Sequence, residues 1–286
     1  MHKLRNGFLL FLIPLFMIQL VIYMIPILYT IYYTFVNTTF KGHESFTLTG
    51  NFAKISSQLG PIIGRTLIWT LGSIIPSMII GLAAALLFRK AFFGKKLFIS
   101  ICLMPYTIPL IIVAACWYLL YQPDFGWLNT AFKATGLIKD TVSFLSPDNA
   151  LLSVIIARIW RSMPFAFIAY YAALKSIPTE LYEASSVDGA NGSQNLFFIT
   201  LPQLKPITLT TGIILTVWTF LVFDIAYSMT GGGPGQATTI LPIAIYQELI
   251  SMYDVGSASA LSLISITILS IMTYIYWKLL DVKGVE

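Results

Sequence analysis

The chain has 286 residues, of which 57% are hydrophobic and only 10% are charged, and its mean hydropathy is +0.81. Soluble domains carry charge on about a quarter of their residues, so this composition excludes an ordinary soluble protein and indicates one that crosses a membrane repeatedly. The formal net charge of +5 does not indicate nucleic-acid binding, because the basic residues cluster at the ends of apolar stretches.

Six apolar stretches of the sequence are each long enough to cross the hydrocarbon core as a helix, which takes about 20 residues. The sequence therefore predicts an all-α membrane bundle of six transmembrane helices, with both chain ends on one side. Residues 1–7 run directly into the first stretch, so we expect a retained span rather than a cleaved signal peptide. The predicted spans are residues 8–36, 62–88, 97–121, 150–174, 205–229 and 258–280.

We divide the chain into a first span with its outer loop, residues 1–61, and a core of five spans, residues 62–286. Several spans contain proline, which neighbouring helices tolerate and which allows kinks. These prolines are Pro14, Pro26, Pro76, Pro105, Pro109 and Pro164.

The basic residues predict that both termini are cytoplasmic, because positive charge is enriched on the inner side of membrane proteins. With that orientation the inner segments hold ten basic residues, and the outer segments hold five. The inner set is Lys3, Arg5, Arg89, Lys90, Lys95, Lys96, Lys175, Lys205, Lys278 and Lys283, and the outer set is Lys41, Lys54, Arg65, Lys133 and Lys139.

No arrangement of residues in the sequence is typical of an enzyme or a metal site. Cys102 and Cys116 lie fourteen residues apart in one apolar stretch, so they are expected to be small core residues that cannot pair with each other. His2 and His43 have no partner cysteine, and no GxxxxGK[ST] phosphate-binding loop is present. We therefore expect no catalytic site in this chain.

Between the fourth and fifth predicted spans lies a polar, amphipathic segment, Glu180 to Pro206. Thr179 is placed as an N-cap, and acidic residues follow it in the first turn, where they favour the positive end of a helix. Gly189 and Gly192 then interrupt the helical pattern before a second short run that ends at Leu201-Pro202. The pattern predicts two short helices joined by a glycine elbow.

The spacing of this segment resembles the EAA loop of permease subunits of binding-protein-dependent ABC importers. Glu183-Ala184-Ser185 is followed after three residues by Gly189, after nine more by Ile199, and after one more by Leu201-Pro202. Ser185 stands where the family usually has a second alanine. The resemblance implies a cytoplasmic coupling loop at residues 176–205 that docks into a cleft on a separate ATP-hydrolysing subunit. The residues implied in coupling are Glu183, Ala184, Ser185 and Gly189.

Further motifs resemble the carbohydrate branch of these permeases, which includes the maltose, oligosaccharide and glycerol-phosphate types. The match runs from about residue 60 to the C-terminus and implies the type I importer permease fold. The matching motifs are Gly126-Trp127-Leu128-Asn129, Trp160-Arg161-Ser162-Met163-Pro164-Phe165, Leu174-Lys175-Ser176-Ile177-Pro178, Phe223-Asp224, and Thr230-Gly231-Gly232-Gly233-Pro234-Gly235.

Ionisable residues inside spans are costly in hydrocarbon and usually face a cavity or a partner. Arg158 and Arg161 are three residues apart and share one face of the fourth span. The resemblance implies that this span lines a sugar pocket, where two guanidiniums favour a carboxylate or phosphate. The alternatives are that the arginines snorkel to the outer interface or pair with acids on a sister subunit. Asp224 either binds sugar hydroxyls or caps the next loop, and we favour the cap.

Sugar pockets stack an aromatic side chain against the ring and hydrogen-bond its edges. By resemblance, the substrate-binding candidates besides the two arginines are therefore Ser162, Phe165, Trp218 and Leu221. Packing or anchoring at the interface is the alternative role of each aromatic residue. Further aromatic residues on these spans are Trp117, Tyr118 and Tyr227.

The resemblance implies a permease subunit, in a bacterial cell membrane, of an importer for an oligosaccharide or a derivatised sugar, including an anionic one. Its expected partners are a second permease, a dimer of ATP-binding subunits, an extracellular solute-binding protein and the lipid bilayer, without nucleic acid. No cofactor is expected in this chain, since ATP and Mg²⁺ would be bound by the partner ATPase. The alternatives are an importer permease for another solute and, less favoured, an ion-coupled secondary transporter, for which the sequence lacks acids in unwound helices and an internal repeat.

Overall fold

A computed structural model of the chain describes residues 2–38, 44–89 and 92–281. The helices are α1 (His2–Thr34), α2 (Gly50–Leu87), α3 (Lys95–Thr107), α4 (Leu110–Leu120), α5 (Trp127–Ala134), α6 (Ala150–Ser176), α7 (Thr179–Val187), α8 (Gly192–Gln194), α9 (Leu201–Leu221), α10 (Asp224–Thr230), α11 (Leu241–Tyr246) and α12 (Val255–Asp281). Two π-helical turns occupy Asn195–Thr200 and Gln247–Ser251, and two strands are β1 (Val36–Thr38) and β2 (Glu44–Phe46). The predictions that rest on Lys41, His43, Lys90 and Lys283 lie outside the described residues, and those that rest on His2, Lys3 and Arg5 lie outside the described side chains.

The described chain is an all-α membrane bundle, as predicted. Within the described residues, five helices are long and apolar enough to cross a membrane, and there are six candidate spans if one bent pair of helices counts as a single span. The bent pair is α3 and α4, which replace the predicted third span and meet at an angle of 100°. Ile108, between the two helices, has an extended backbone. Pro109 follows it, and proline disfavours helical geometry in the residue before it, which explains the break.

The two cysteines therefore lie on different helices of this pair. Cys102 on α3 is partly buried and Cys116 on α4 is exposed, and both are free thiols. The prediction that both are core residues is wrong for Cys116, because it lies away from the face of α4 that carries the buried Val113 and Ala114.

The fifth predicted span is also broken. Helix α9 ends at Leu221, Val222 is extended, and α10 begins at Asp224. Asp224 thus starts a short helix, where its negative charge favours the positive helix end. The N-cap residue of α10 is Phe223, and no side-chain capping hydrogen bond is present there, so the capping role favoured for Asp224 stays a prediction.

The first outer loop is shorter than predicted. Helix α2 begins at Gly50, so Lys54 and Arg65 lie on a helix rather than in a loop. Strands β1 and β2 form an antiparallel pair that the sequence did not predict. The Asn51 side chain donates to the carbonyls of Thr34 and Val36, at 3.0 and 2.9 Å, and so ties the start of α2 to the end of α1.

The chain divides into two compact units, one of Met1–Gly60 with Ala244–Ile268 and the other of Pro61–Ile243 with Leu269–Glu286. In the second unit, buried apolar side chains form two clusters. One contains Trp69 and Tyr121, and the other contains Phe167 and Tyr170. These clusters hold α2, α4, α6, α9 and α10 around the candidate site.

Gly81 allows α2 and α6 to approach each other closely. A Cβ atom at this position would lie 2.7 Å from the Cβ of Ala166 and 2.8 Å from the backbone nitrogen of Phe167. These distances are too short for nonbonded atoms, so the packing of these two helices requires glycine here.

Candidate functional site

A cavity of about 360 Å³ lies within the second unit, between the bent pair α3–α4 and helices α6 and α9. Both chain breaks described above border it, because Leu110 begins α4 and Val222 follows the end of α9. The lining residues are Tyr106, Leu110, Arg158, Arg161, Ser162, Phe165, Leu215, Val217, Trp218, Leu221 and Val222.

Arg158 is the most buried charged residue of this lining, with 6% of its surface exposed. Its Nε and one terminal nitrogen donate to the hydroxyl of Thr219 on α9, at 3.3 and 3.0 Å. In the described part of the chain it forms no ion pair with a carboxylate. A guanidinium has five N–H donors, so one hydroxyl oxygen leaves most of its hydrogen-bonding capacity unused.

Arg161 lies one turn further along α6 and faces the same cavity. Its guanidinium carbon is 4.5 Å from the centre of the Tyr106 ring, a cation–π contact. Its buried Nε has no hydrogen-bond partner within the described residues, and neither has the buried hydroxyl of Ser162. Buried polar atoms without partners cost free energy, so these two donors are available to a polar ligand.

Aromatic side chains form another part of the lining. The rings of Phe165 and Trp218 are 4.9 Å apart at an angle of 59°, and Tyr106 stacks on Phe165 at 6.1 Å. Trp218 and Leu221 remain 45% and 54% exposed. The cavity thus combines an apolar aromatic surface with two cationic groups.

The structure brings all six predicted substrate-binding residues to this one cavity, although their contact with a substrate stays a prediction. Arg158 is buried inside the bundle and does not snorkel to an interface, which removes one alternative for that residue. Pairing with acids on a sister subunit stays open for both arginines.

Sequence reasoning missed Tyr106, Leu110 and Val217 as lining residues. The available signal was the pair Pro105 and Pro109, which the sequence analysis read only as possible kinks. Pro105 is accommodated inside α3, whereas Pro109 ends the helix at the residue before it, and this break places Tyr106 and Leu110 on its two sides. No sequence signal pointed to Val217.

Other aromatic candidates lie elsewhere. Trp117 packs edge-to-face on Trp160 at 6.0 Å, and Tyr227 stacks on Phe223 at 4.4 Å. Tyr118 lines a second cavity together with Thr230, Gly233 and Pro234 of the glycine-rich loop. None of the three lines the cavity that contains the arginines.

The predicted coupling segment forms a second candidate site. Helix α7 carries Glu183 and Ala184 on its exposed surface, and Gly189 follows it with a φ of +77°, in the left-handed region that favours glycine. The predicted glycine elbow is therefore present. Thr179, however, lies inside α7 and does not cap it, because Pro178 precedes the helix as its N-cap residue.

The second half of the segment differs from the prediction. Asn191 caps α8, and its side chain and that of Gln194 bond each other's backbone nitrogens in a capping box. Gly192 is thus the first residue of a helix rather than a breaker. From there the chain runs through a π-helical turn directly into α9, so the second short helix is continuous with the fifth span.

Ser185 links the two halves. Its hydroxyl is 2.7 Å from the side-chain oxygen of Asn195 and 2.9 Å from the carbonyl of Tyr182. Tyr182 in turn lies 2.9 Å from the hydroxyl of Thr200, and the Arg89 guanidinium is 4.1 Å from its ring centre. The segment is therefore held by polar contacts to the end of α2 and the start of α9.

Comparison with known families identifies relatives of the whole chain. A family model described as "Binding-protein-dependent transport system inner membrane component" matches residues 77–281. The trehalose/maltose transport system permease protein MalF of Thermococcus litoralis is 31% identical over 278 residues, which cover 96% of this chain and 93% of that protein. The sulfoquinovosyl glycerol transport system permease protein SmoG of Agrobacterium fabrum is 32% identical over 219 residues, which cover 77% and 71%.

A chain in the structure of a bacterial ABC transporter involved in the import of the acidic polysaccharide alginate superposes with a TM-score of 0.81. The alignment covers 97% of this chain and 96% of that chain, at 23% sequence identity. At this identity the similarity establishes the fold alone.

Proposed function

We infer the function of this chain from the family to which it belongs, the inner membrane components of binding-protein-dependent transport systems. Members of this family are multi-pass transport subunits of the inner membrane. We propose that this member is the permease subunit of an ABC importer that moves a carbohydrate into the cell. The proposed substrate is an oligosaccharide or a derivatised sugar that carries an anionic group.

The carbohydrate class is supported by the relatives and by the chemistry of the cavity. The similar permeases are named for trehalose and maltose and for sulfoquinovosyl glycerol. Trp218, which is exposed, and Phe165, which is partly exposed and packs against it, provide an apolar surface on which a sugar ring can stack.

The proposal that the sugar is anionic rests on one observation, which is that Arg158 and Arg161 have no carboxylate partner. Two guanidiniums line one cavity, and neither forms an ion pair anywhere in the described chain. A carboxylate or phosphate on the sugar accepts hydrogen bonds from both in a bidentate geometry. The substrate would thereby supply the partners that these groups lack in the chain itself.

We further propose that this chain hydrolyses no ATP and that ATP and Mg²⁺ are bound by a dimer of separate ATPase subunits. Residues 176–205 would dock on that dimer from the cytoplasm, with Glu183, Ala184, Ser185 and Gly189 at the contact. The second half of the segment, from α8 onward, continues into α9, which lines the cavity. Movement of that half would therefore reach Trp218 and Leu221. A second permease and an extracellular solute-binding protein complete the proposed assembly, which works by alternating access.

The test is uptake by the assembled transporter in proteoliposomes, with an anionic and a neutral sugar that its binding protein delivers. We expect the double variant Arg158→Gln, Arg161→Gln to lose uptake of the anionic sugar, because the charge-assisted hydrogen bonds are gone. Lys133→Gln, Lys139→Gln removes two positive charges from exposed positions and should change neither uptake. Unchanged uptake of the anionic sugar by the arginine variant would refute the proposed binding mode.

A further inference from the structure

A basic cleft lies where the start of α3 packs against the end of α6, apart from both candidate sites described above. It encloses about 480 Å³. Its lining residues are Phe92, Gly94, Lys95, Lys96, Ile99 and Tyr171.

Positive charge is concentrated around one tyrosine of this cleft. The ammonium groups of Lys95 and Lys175 lie 5.4 and 4.5 Å from the centre of the Tyr171 ring, and Lys96 lines the same cleft. No lining residue is acidic, and the first turn of α3 contains no acidic side chain. Lys95 and Lys96 also stand at the positive end of the α3 dipole, where cations are disfavoured. An anion bound among the three lysines would relieve this repulsion.

The surface beside the cleft is apolar and exposed. Phe93, just before α3, is fully exposed, with 101% relative accessibility. Along α3 the side chains of Leu97, Phe98 and Ile101 are 64%, 51% and 56% exposed. Because α3 and α4 together are long and apolar enough to form one candidate span, this surface is suited to contact the hydrocarbon region next to the lysines. A free phosphate would use the lysines alone, whereas a phospholipid would use both surfaces.

We propose that the cleft binds an anionic phospholipid. The headgroup phosphate accepts hydrogen bonds from Lys95, Lys96 and Lys175. The acyl chains lie against the exposed apolar side of α3, and Phe93 is placed at the interface. Basic pockets between transmembrane helices are a known means of binding anionic headgroups. The bound lipid would fix the bent pair α3–α4 against α6.

The test is native mass spectrometry of the purified transporter with phosphatidylglycerol or phosphatidylcholine added in detergent. We expect preferential binding of phosphatidylglycerol. Each lysine near an anionic headgroup contributes about 5-fold to binding, so the variant Lys95→Gln, Lys96→Gln, Lys175→Gln should lose about 100-fold. The matched control, Lys133→Gln, Lys139→Gln, Lys278→Gln, removes the same charge from exposed positions and should retain binding.

Two further arms distinguish the source of the phosphate. Phe98→Ser should weaken phosphatidylglycerol binding while leaving the lysines in place, and millimolar inorganic phosphate should not displace the lipid. If the triple variant does not purify as a folded complex, Lys175→Gln alone replaces it, with an expected loss of about 5-fold. Equal phosphatidylglycerol binding by the lysine variant and its control would overturn the proposal, as would displacement by inorganic phosphate or loss of binding when the ATPase subunits are present.

Discussion

At the scale of single residues, Arg158 is the most unusual group of the cavity, because its charge is buried and its hydrogen bonds go to one neutral hydroxyl. Thr219 accepts two of its hydrogen bonds, and the carbonyl of the same threonine accepts from Trp69 Nε1 at 2.9 Å. The backbone of Thr219 is thus fixed by α2 while its side chain fixes the guanidinium. We regard Thr219 as the residue that positions Arg158 for the substrate.

Thr219→Val keeps the shape of the side chain and removes its hydroxyl. We expect it to lower the free energy of unfolding by about 2 kcal/mol, since a hydrogen bond to a buried charge is lost. We also expect weaker apparent affinity for the anionic sugar, measured as a higher KM for uptake. Thr219→Ser restores the acceptor and should recover both values. Equal behaviour of the two variants would contradict the positioning role.

Ser185 shows what residue-level reasoning could and could not predict. Its small size fits the position that resembles the alanine of the EAA loop, and the sequence predicted that much. Its bond to Asn195 joins residues ten apart and depends on how α7 folds back toward the π-helical turn. No local pattern in the sequence specifies that contact.

At the scale of elements, the geometry of the coupling segment depends on the turn between α7 and α8. Gly189 has a φ of +77°, but nothing lies within 4 Å of the position that a Cβ would occupy. A side chain there would be strained only through its backbone conformation, at a cost of about 1–2 kcal/mol. Gly192 has equally open surroundings without a positive φ.

This difference provides a matched pair of variants. Gly189→Val should leave the transporter inserted but uncouple ATP hydrolysis from uptake, whereas Gly192→Val should remain coupled. Glu183→Lys should uncouple as well, because it reverses an exposed charge at the proposed contact, while Asp188→Lys on the same segment should not. Substrate-stimulated ATPase activity and uptake are measured together. Normal coupling in Gly189→Val and Glu183→Lys would refute the docking assignment.

A second prediction at this scale concerns the ion pair between Lys54 and Asp254, which joins the start of α2 to the start of α12 within the first unit. Burial raises the pKa of the Asp254 carboxyl, but hydrogen bonds from Lys54, at 2.7 Å, and from Ser257 outweigh burial and leave that pKa below its usual range. A carboxyl with a lowered folded pKa stabilises the fold above its unfolded pKa of about 3.9 and loses this contribution as the pH falls through the folded pKa.

The test therefore compares the thermal stability of two proteins between pH 7 and pH 3. One keeps the Lys54–Asp254 ion pair, and the other carries Asp254→Asn. The difference should be at most about 1 kcal/mol at neutral pH, since the ion pair is partly exposed, and should shrink below about pH 4. Burial and the charge of Asp254 raise the pKa of Glu248. The titration of Glu248 therefore changes the stability with pH in the opposite direction to that of Asp254. To remove this contribution, both proteins carry Glu248→Gln. A difference that stays constant across this range would contradict the role of the ion pair.

At the scale of the whole molecule, composition and the length of the apolar stretches were enough to predict the all-α membrane bundle, and family membership confirms the resemblance to importer permeases. The prolines of the third predicted span indicated a possible kink, but not a bend of 100° after Thr107. The break after Leu221 has no proline or glycine to mark it, so the apolar stretch gave no sign of it. These two breaks surround the cavity. The motifs thus predicted which residues are substrate candidates. The cavity between those residues depends on helix packing and could not be predicted from the motifs.

The orientation of the molecule in the membrane is the remaining prediction, and it decides whether residues 176–205 can reach a cytoplasmic ATPase. It rests on the excess of basic residues in the predicted inner segments. In a chain with Cys102 and Cys116 replaced by serine, a cysteine at Asp188 should react with an impermeant maleimide only after the cells are opened. A cysteine at Asp140, exposed in the loop before α6, should react in intact cells. Labelling of the Asp188 position in intact cells would invert the topology, and the coupling segment could then not receive energy from ATP hydrolysis inside the cell.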